Sequence, residues 1–192
     1  MIIRPSQLFA LIWIGWLVSW LAASFWSSRT AKRAASWNAR AYRAAIVVGA
    51  IMLTPWAGQW LGGARLWDAG YGGAYALAGI TLLGILFAWW ARIYLGRLWS
   101  SAITRKVDHR VVDTGPYALV RHPIYTGLMT AILATAAAAA TPAALVGAGL
   151  ISFGLWLKAR AEERFLTAEL GPDTYGTYRR RVPMLIPGIR HR

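Results

Sequence analysis

The chain of 192 residues has no cysteine, only seven acidic residues and only three histidines. The missing cysteines exclude a disulfide framework, a thiol nucleophile and any Cys-ligated metal or iron–sulfur site. His109, His122 and His191 are too scattered along the sequence for a metal site, so no metal is expected. Against so few acids stand 21 lysines and arginines, a net charge of +14. Such a balance would suit nucleic acid, but the basic residues lie between oily segments and not on a soluble fold. Anionic lipid headgroups are therefore the expected partner, and nucleic acid is not. What the chain does have is apolar side chains: 57% of it is hydrophobic, with 12 tryptophans.

Five apolar segments stand out, at Leu8–Trp26, Ala44–Leu61, Ala74–Leu95, Tyr125–Thr141 and Ala143–Leu157. A helix needs about 20 residues to cross a bilayer core, and the first three segments are long enough. The last two are shorter, and the "ATPAAL" between them predicts a tight turn and a helical hairpin. The final helix is expected to run on through "KARAEERFLTAEL" to a stop at Gly171-Pro172. The N-terminal segment has one early basic residue, Arg4, and no clear cleavage site, so it reads as a retained helix and not a signal peptide. The alanine run 136–140 predicts a close-packing helix face. The fold class expected is all-α: a polytopic integral membrane protein of about five transmembrane helices with a C-terminal hairpin and a cytoplasmic cofactor-binding loop and tail. Residues 1–95 form its N-terminal helices, and 96–192 its functional region.

Arginine and lysine cluster in the gaps 27–43 and 96–123 and after Leu157, while the opposite side holds only Arg4 and Arg65. The positive-inside rule then places the N-terminus outside and the C-terminus in the cytoplasm, and a bacterial inner membrane is the expected location. All the candidate chemistry falls on the basic side.

Three stretches carry that chemistry. In "VDHRVVDTGPYALVRHPIYTG", Gly115-Pro116 predicts a turn, and Pro123 keeps His122 out of helical geometry while starting the next helix. Arg121 and His122 then sit at a helix N-terminus, which favours anionic groups. An interfacial loop anchored by Tyr117 and Tyr125 would have the same sequence. In "KARAEERF", Glu162 and Glu163 lie at the inner end of a membrane helix, where basic residues are the norm. Lys158 and Glu162 share a helix face. A carboxylate there either accepts hydrogen bonds from a ligand's hydroxyls or belongs to a self-paired helix end. In "YGTYRRRVPMLIPG", Tyr175, Tyr178 and Arg179 to Arg181 read first as a tail clamped to headgroups, and second as a cover over the site.

Together, "GPYALVRHPIYTG", a short hydrophobic hairpin and "AEERFLTAELGPDTYGTYRRRVPMLIP" resemble the isoprenylcysteine carboxyl methyltransferase family, a relative of the phospholipid N-methyltransferases. The resemblance covers His109 to Pro187. It implies S-adenosylmethionine as cofactor and a lipophilic methyl acceptor. It further implies cofactor contacts from the strand-like His109, Arg110, Val111 and Val112, from Tyr117, from His122, Pro123, Ile124 and Tyr125, and from Glu162 and Glu163. Arg121, Lys158 and Arg160 are assigned as the catalytic cations. Where the family has a substrate-binding arginine this chain has Lys158, which offers a point charge and no bidentate fork. The acceptor alternatives are a phospholipid amine or a small thiol. An NADPH-dependent sterol-type reductase has a related motif, but Ile124 and Leu128 replace its asparagine and acid. A non-enzymatic membrane scaffold on the same fold is the remaining alternative.

Overall fold

The computed structural model describes residues 3–25, 30–33, 38–61, 63–99, 104–106, 111–171 and 173–189. Most of these are helical, with one short ribbon and connecting loops, as expected for the all-α class. The helices are α1 (Pro5–Ser24), α2 (Asn38–Met52), α3 (Pro55–Trp60), α4 (Gly70–Leu95), α5 (Pro116–Leu119), α6 (Pro123–Ala139), α7 (Pro142–Leu170) and α8 (Thr174–Arg181). The ribbon pairs β1 (Thr30–Arg33) with β2 (Thr104–Lys106), antiparallel. Helices α1, α4 and α7 are long and apolar enough to cross a membrane, and α6 is a shorter apolar helix. The protein is therefore a polytopic membrane protein.

The second apolar segment departs from expectation. It does not form one helix over Ala44–Leu61. Helix α2 begins earlier, at Asn38, and stops at Met52, and α3 starts afresh at Pro55. The cause is Pro55: the residue before a proline is driven out of the α region, and Thr54 is extended at φ −72°, ψ 149°.

The packing order is α1 on α4, α4 on α6, α6 on α7 and α7 on α2. Two of these crossings are glycine to glycine. A Cβ on Gly84 would stand 2.6 Å from the Gly127 carbonyl oxygen, and one on Gly49 would stand 2.6 Å from that of Gly147. Backbones approach this closely only across small residues, which is how helices associate where lipid supplies no hydrophobic drive. The alanine run serves the same purpose: Ala136 is fully buried and packs with Ala144 and Ala148. The run also ends α6, because Ala140 takes a left-handed conformation at φ 55°. Thr141 then caps α7 by accepting from the Ala144 amide, and Pro142 opens it. This is the expected hairpin. Helix α7 continues unbroken to Leu170 and stops at Gly171, φ 85°.

These contacts bring one end of the bundle together. Arg92 near the end of α4 donates to the Ala23 carbonyl near the end of α1 at 2.7 Å. Ala91 packs on Ile124 at the start of α6, and Tyr42 of α2 packs on Ala161 of α7. The ends of α1, α4 and α7 and the starts of α2 and α6 thus meet, and α5, α8 and the chain after it close over them.

Candidate functional site

The site begins with a backbone clasp. Gly115, at φ 58°, turns the chain into α5, and a Cβ there would strike the Tyr94 ring. His122 follows at φ −123°, ψ 62°, outside helical geometry, and Pro123 opens α6, as the sequence predicts. The extended link between them binds the tail. Arg121 N–H donates to the Pro183 carbonyl at 2.8 Å, and His122 N–H to that of Met184 at 3.1 Å. One turn into α6, the Thr126 hydroxyl donates to the Leu185 carbonyl at 2.7 Å.

Side chains from α6 and α7 meet across this clasp. The Tyr125 hydroxyl donates to Glu162 Oε2 at 2.8 Å. His122 stacks on the Tyr125 ring, with centroids 5.4 Å apart and planes 2° from parallel. Its Nε2 lies 3.2 Å from Glu163 Oε1, and its Nδ1 lies 3.8 Å from Glu162 Oε2. The imidazole is therefore held between two carboxylates, in a place where only 8% of it is exposed. Lys158, one turn before Glu162, sets its ammonium 5.2 Å from the centre of the Tyr125 ring. Oε1 of Glu162 has no partner among the described residues, so this carboxylate keeps acceptor capacity for a ligand.

The two glutamates differ. Glu162 faces a cavity of about 280 Å³, whereas Glu163 stands behind it. Glu163 accepts from Arg121 Nε at 2.6 Å and pairs with Arg179 at 3.6 Å. Arg121 also donates through Nη1 to the carbonyls of Arg179 and Val182. Its guanidinium is thus spent on binding α8 and the tail, although Arg121 borders the cavity.

Of the residues singled out in the sequence, Val111, Val112, Tyr117, Arg121, His122, Pro123, Ile124, Tyr125, Lys158 and Glu162 all line this one cavity. Arg160 does not: it is exposed and lies over the Trp156 ring at 5.0 Å. His109 and Arg110 lie outside the described residues. Val111 and Val112 do not continue a strand. They are taken up by side-chain packing, Val111 against Tyr175 and Tyr178 and Val112 against Tyr117.

The tail also departs from its first reading. Tyr175 and Tyr178 do not reach out to headgroups; they are buried and form part of the cavity wall. The Tyr178 hydroxyl donates to the Tyr117 carbonyl at 2.7 Å. Burial raises the phenols of Tyr117, Tyr175 and Tyr178 above the ordinary tyrosine value, with the nearby carboxylates Glu162 and Glu163 adding to the effect. All three are neutral donors over the physiological range. Trp16, Trp20, Trp99, Leu128 and Leu155 complete the wall, and the motifs above include none of them. In hindsight the only trace is the spacing of Trp13, Trp16 and Trp20, which puts three indoles on one face of α1.

The sequence model of the isoprenylcysteine carboxyl methyltransferase (ICMT) family matches residues 77–168. Three relatives align with parts of the chain. The cobalt-zinc-cadmium resistance protein CzcN of Cupriavidus metallidurans is 33% identical over 105 residues, 50% of this chain and 44% of that protein. The protein-S-isoprenylcysteine O-methyltransferase of Schizosaccharomyces pombe is 33% identical over 117 residues, 58% of this chain and 48% of that protein. Methanethiol S-methyltransferase 2 of Bradyrhizobium diazoefficiens is 45% identical over 75 residues, 38% of this chain and 27% of that protein. The matched region thus spans less than half the length of each relative.

Proposed function

We propose, from the membership of residues 77–168 in the isoprenylcysteine carboxyl methyltransferase family, that this chain is an S-adenosylmethionine-dependent methyltransferase. Its acceptor is a lipophilic molecule held at a membrane face, and its reaction is carboxyl O-methylation. The observation that carries this reading is the two-ended cavity. One end has Glu162, Lys158 and His122, and the other has Leu128, Leu155 and Trp16. A polar cofactor and an oily acceptor can meet only in a space of that kind.

The residues present fit the cofactor. Glu162 Oε1 is available to a hydroxyl or an ammonium, and Tyr117 and Tyr125 frame a site rich in aromatic walls. S-adenosylmethionine, when bound, supplies a methyl group already activated by its sulfonium. The chain has then only to bind, orient and keep water out. Glu162 and His122 hold the cofactor end. Lys158, beside the Tyr125 ring, offers a positive charge that retains an anionic acceptor without the directed fork of an arginine. A carboxylate acceptor arrives ready to react. A thiol must first lose its proton, and His122, set between Glu162 and Glu163, is the group placed to receive it. That second reading, methylation of a small thiol, is favoured by the 45% identity to the methanethiol enzyme.

We place the protein in a bacterial inner membrane, N-terminus outside and C-terminus in the cytoplasm, since the clustered basic residues and the cofactor belong on one side. Residues 96–192 carry the cofactor site, while residues 1–95 supply membrane helices and a wall.

Calorimetric titration of S-adenosylmethionine and S-adenosylhomocysteine into detergent-purified protein tests this, with NADPH as control. Binding of both adenosyl ligands is expected, weakened by roughly 10- to 100-fold in Glu162→Gln and also reduced in His122→Ala, the range for a hydrogen bond to a charged group. NADPH binding in place of the adenosyl ligands would move the protein to the reductases.

A further inference from the structure

Helix α4 carries a charge that the proposed chemistry does not use. Arg92 is the bulkiest fully buried side chain among the described residues, 1% exposed. A charge sealed within a membrane-spanning helix is costly to desolvate, and such residues mark working positions. Arg92 does not itself line the cavity, but its contacts show what it holds. Nη2 donates to the Ala23 carbonyl in the last turn of α1 at 2.7 Å, and Nη1 to the Gly96 carbonyl in the turn after α4 at 2.9 Å. Both carbonyls lie where a helix's own ladder runs out of amide donors. The guanidinium also lies 4.3 Å from the centre of the Trp99 ring, within cation–π range.

These three contacts bear on one wall. Helix α1 buries none of its residues, and its one substantial neighbour is α4. Hydrogen bonds fasten it at two levels, from Trp13 to the Thr135 hydroxyl at 3.1 Å and from Arg92 to Ala23. Trp20, in the same end of α1 as Ala23, lines the cavity, and so does Trp99. Their rings meet edge-on, with centroids 5.7 Å apart and planes at 90°. Both pack against the cluster of Ala91, Tyr117 and Ile124. Gly96, at φ 58°, makes the turn that brings Trp99 back to Arg92.

We infer that Arg92 is a positioning residue for the cavity. Its fork ties the end of α1 to the turn after α4, and its plane seats the Trp99 ring, so that Trp20 and Trp99 stand together as one wall. The role calls for arginine. A guanidinium presents several donors in fixed directions and stacks on an aromatic face, whereas a lysine keeps the charge as a single point. The inference rests on the proposed methyltransferase reading in one respect, that the ligand this wall serves is the adenosyl cofactor.

The test is a double-mutant cycle of Arg92→Lys and Trp99→Ala in detergent-purified protein, with S-adenosylhomocysteine as the probe. Arg92→Lys is expected to weaken its binding roughly 3- to 10-fold, the worth of one well-placed aromatic contact. Because Arg92 acts through the wall, the double variant should lose clearly less than the product of the two single losses, whereas sites that act independently multiply. A second measurement needs no ligand. In 15N spectra of the indole N–H groups, the Trp20 and Trp99 signals, identified by their loss in Trp20→Phe and Trp99→Phe, should both shift in Arg92→Lys. Trp56 and Trp60, exposed on α3 at the other end of the bundle, should keep their signals unmoved and so report the fold. Unmoved Trp20 and Trp99 signals, wild-type affinity in Arg92→Lys, or losses that multiply would overturn the inference. So would loss of the Trp56 and Trp60 signals in both Arg92→Lys and Arg92→Gln, which would make Arg92 a residue of folding alone. Shifted Trp20 and Trp99 signals in a protein whose wild type binds no S-adenosylhomocysteine would instead retain the positioned wall and remove the methyltransferase reading.

Discussion

Arg121 shows how much a residue's role depends on where its side chain turns. At the mouth of an apolar helix it reads as a cation for an anionic ligand. In the fold its guanidinium is occupied by Glu163 and by the carbonyls of Arg179 and Val182. Both members of the pair are about nine-tenths buried, and breaking a buried pair by removing one partner typically costs about 3–5 kcal/mol. Arg121→Ala is therefore expected to lower the unfolding midpoint, followed by tryptophan fluorescence in detergent, by an amount equivalent to about 3 kcal/mol. Arg160→Ala should leave both stability and cofactor affinity unchanged, because Arg160 is exposed and away from the cavity. A loss of cofactor affinity in Arg160→Ala with no loss of stability would return it to the site. The adjacent glutamates separate in the same way. Successive positions on a helix point about 100° apart, so Glu162 enters the cavity while Glu163 turns to Arg121.

At the scale of elements, the strongest determinants are glycines that sequence composition leaves undistinguished. Gly84 and Gly127 are the contact between α4 and α6. Gly127→Val would force these backbones apart, and overpacking of this kind costs about 1–3 kcal/mol. Because α6 carries Tyr125 and follows His122, the same substitution should also weaken S-adenosylmethionine binding in the calorimetric titration. Gly15→Val is the control: nothing lies within 4 Å of a Cβ there, and no change in stability is expected. Equal behaviour of the two variants would mean that the α4–α6 crossing is not what aligns the site. The break at Thr54-Pro55 belongs to this scale too. An apolar stretch long enough to span was interrupted by one proline, for a local steric reason that hydropathy does not register.

At the scale of the whole molecule, the ends of α1, α4 and α7, the start of α6 and the tail all lie at one pole. The basic clusters of the sequence flank these same elements, so the proposed orientation puts the polar end of the cavity in the cytoplasm. Since the chain has no cysteine, single introduced thiols can report sidedness without background. In intact cells a membrane-impermeant maleimide is expected to label Arg65→Cys and to spare Asp173→Cys, and both should react after lysis. Both residues are exposed. Labelling of Asp173→Cys in intact cells would invert the topology.

The sequence by itself determined the class of protein, the C-terminal hairpin, the long helix α7 that stops at Gly171 and most of the residues that converge on the cavity. These are properties of local pattern: apolar length, proline and glycine positions, and motifs whose members lie close along the chain. Tertiary structure alone decided which face each residue serves. It turned the Arg121 guanidinium to Glu163 and the tail, set Glu163 behind the cavity and placed Tyr175 and Tyr178 within its wall. It also brought Trp16 and Trp20 from the opposite end of the chain to close it. The physical reason is that burial and hydrogen-bond partners are set by contacts between helices distant in sequence, and an indole on a lipid-facing helix looks the same in sequence whether it meets lipid or lines a cavity.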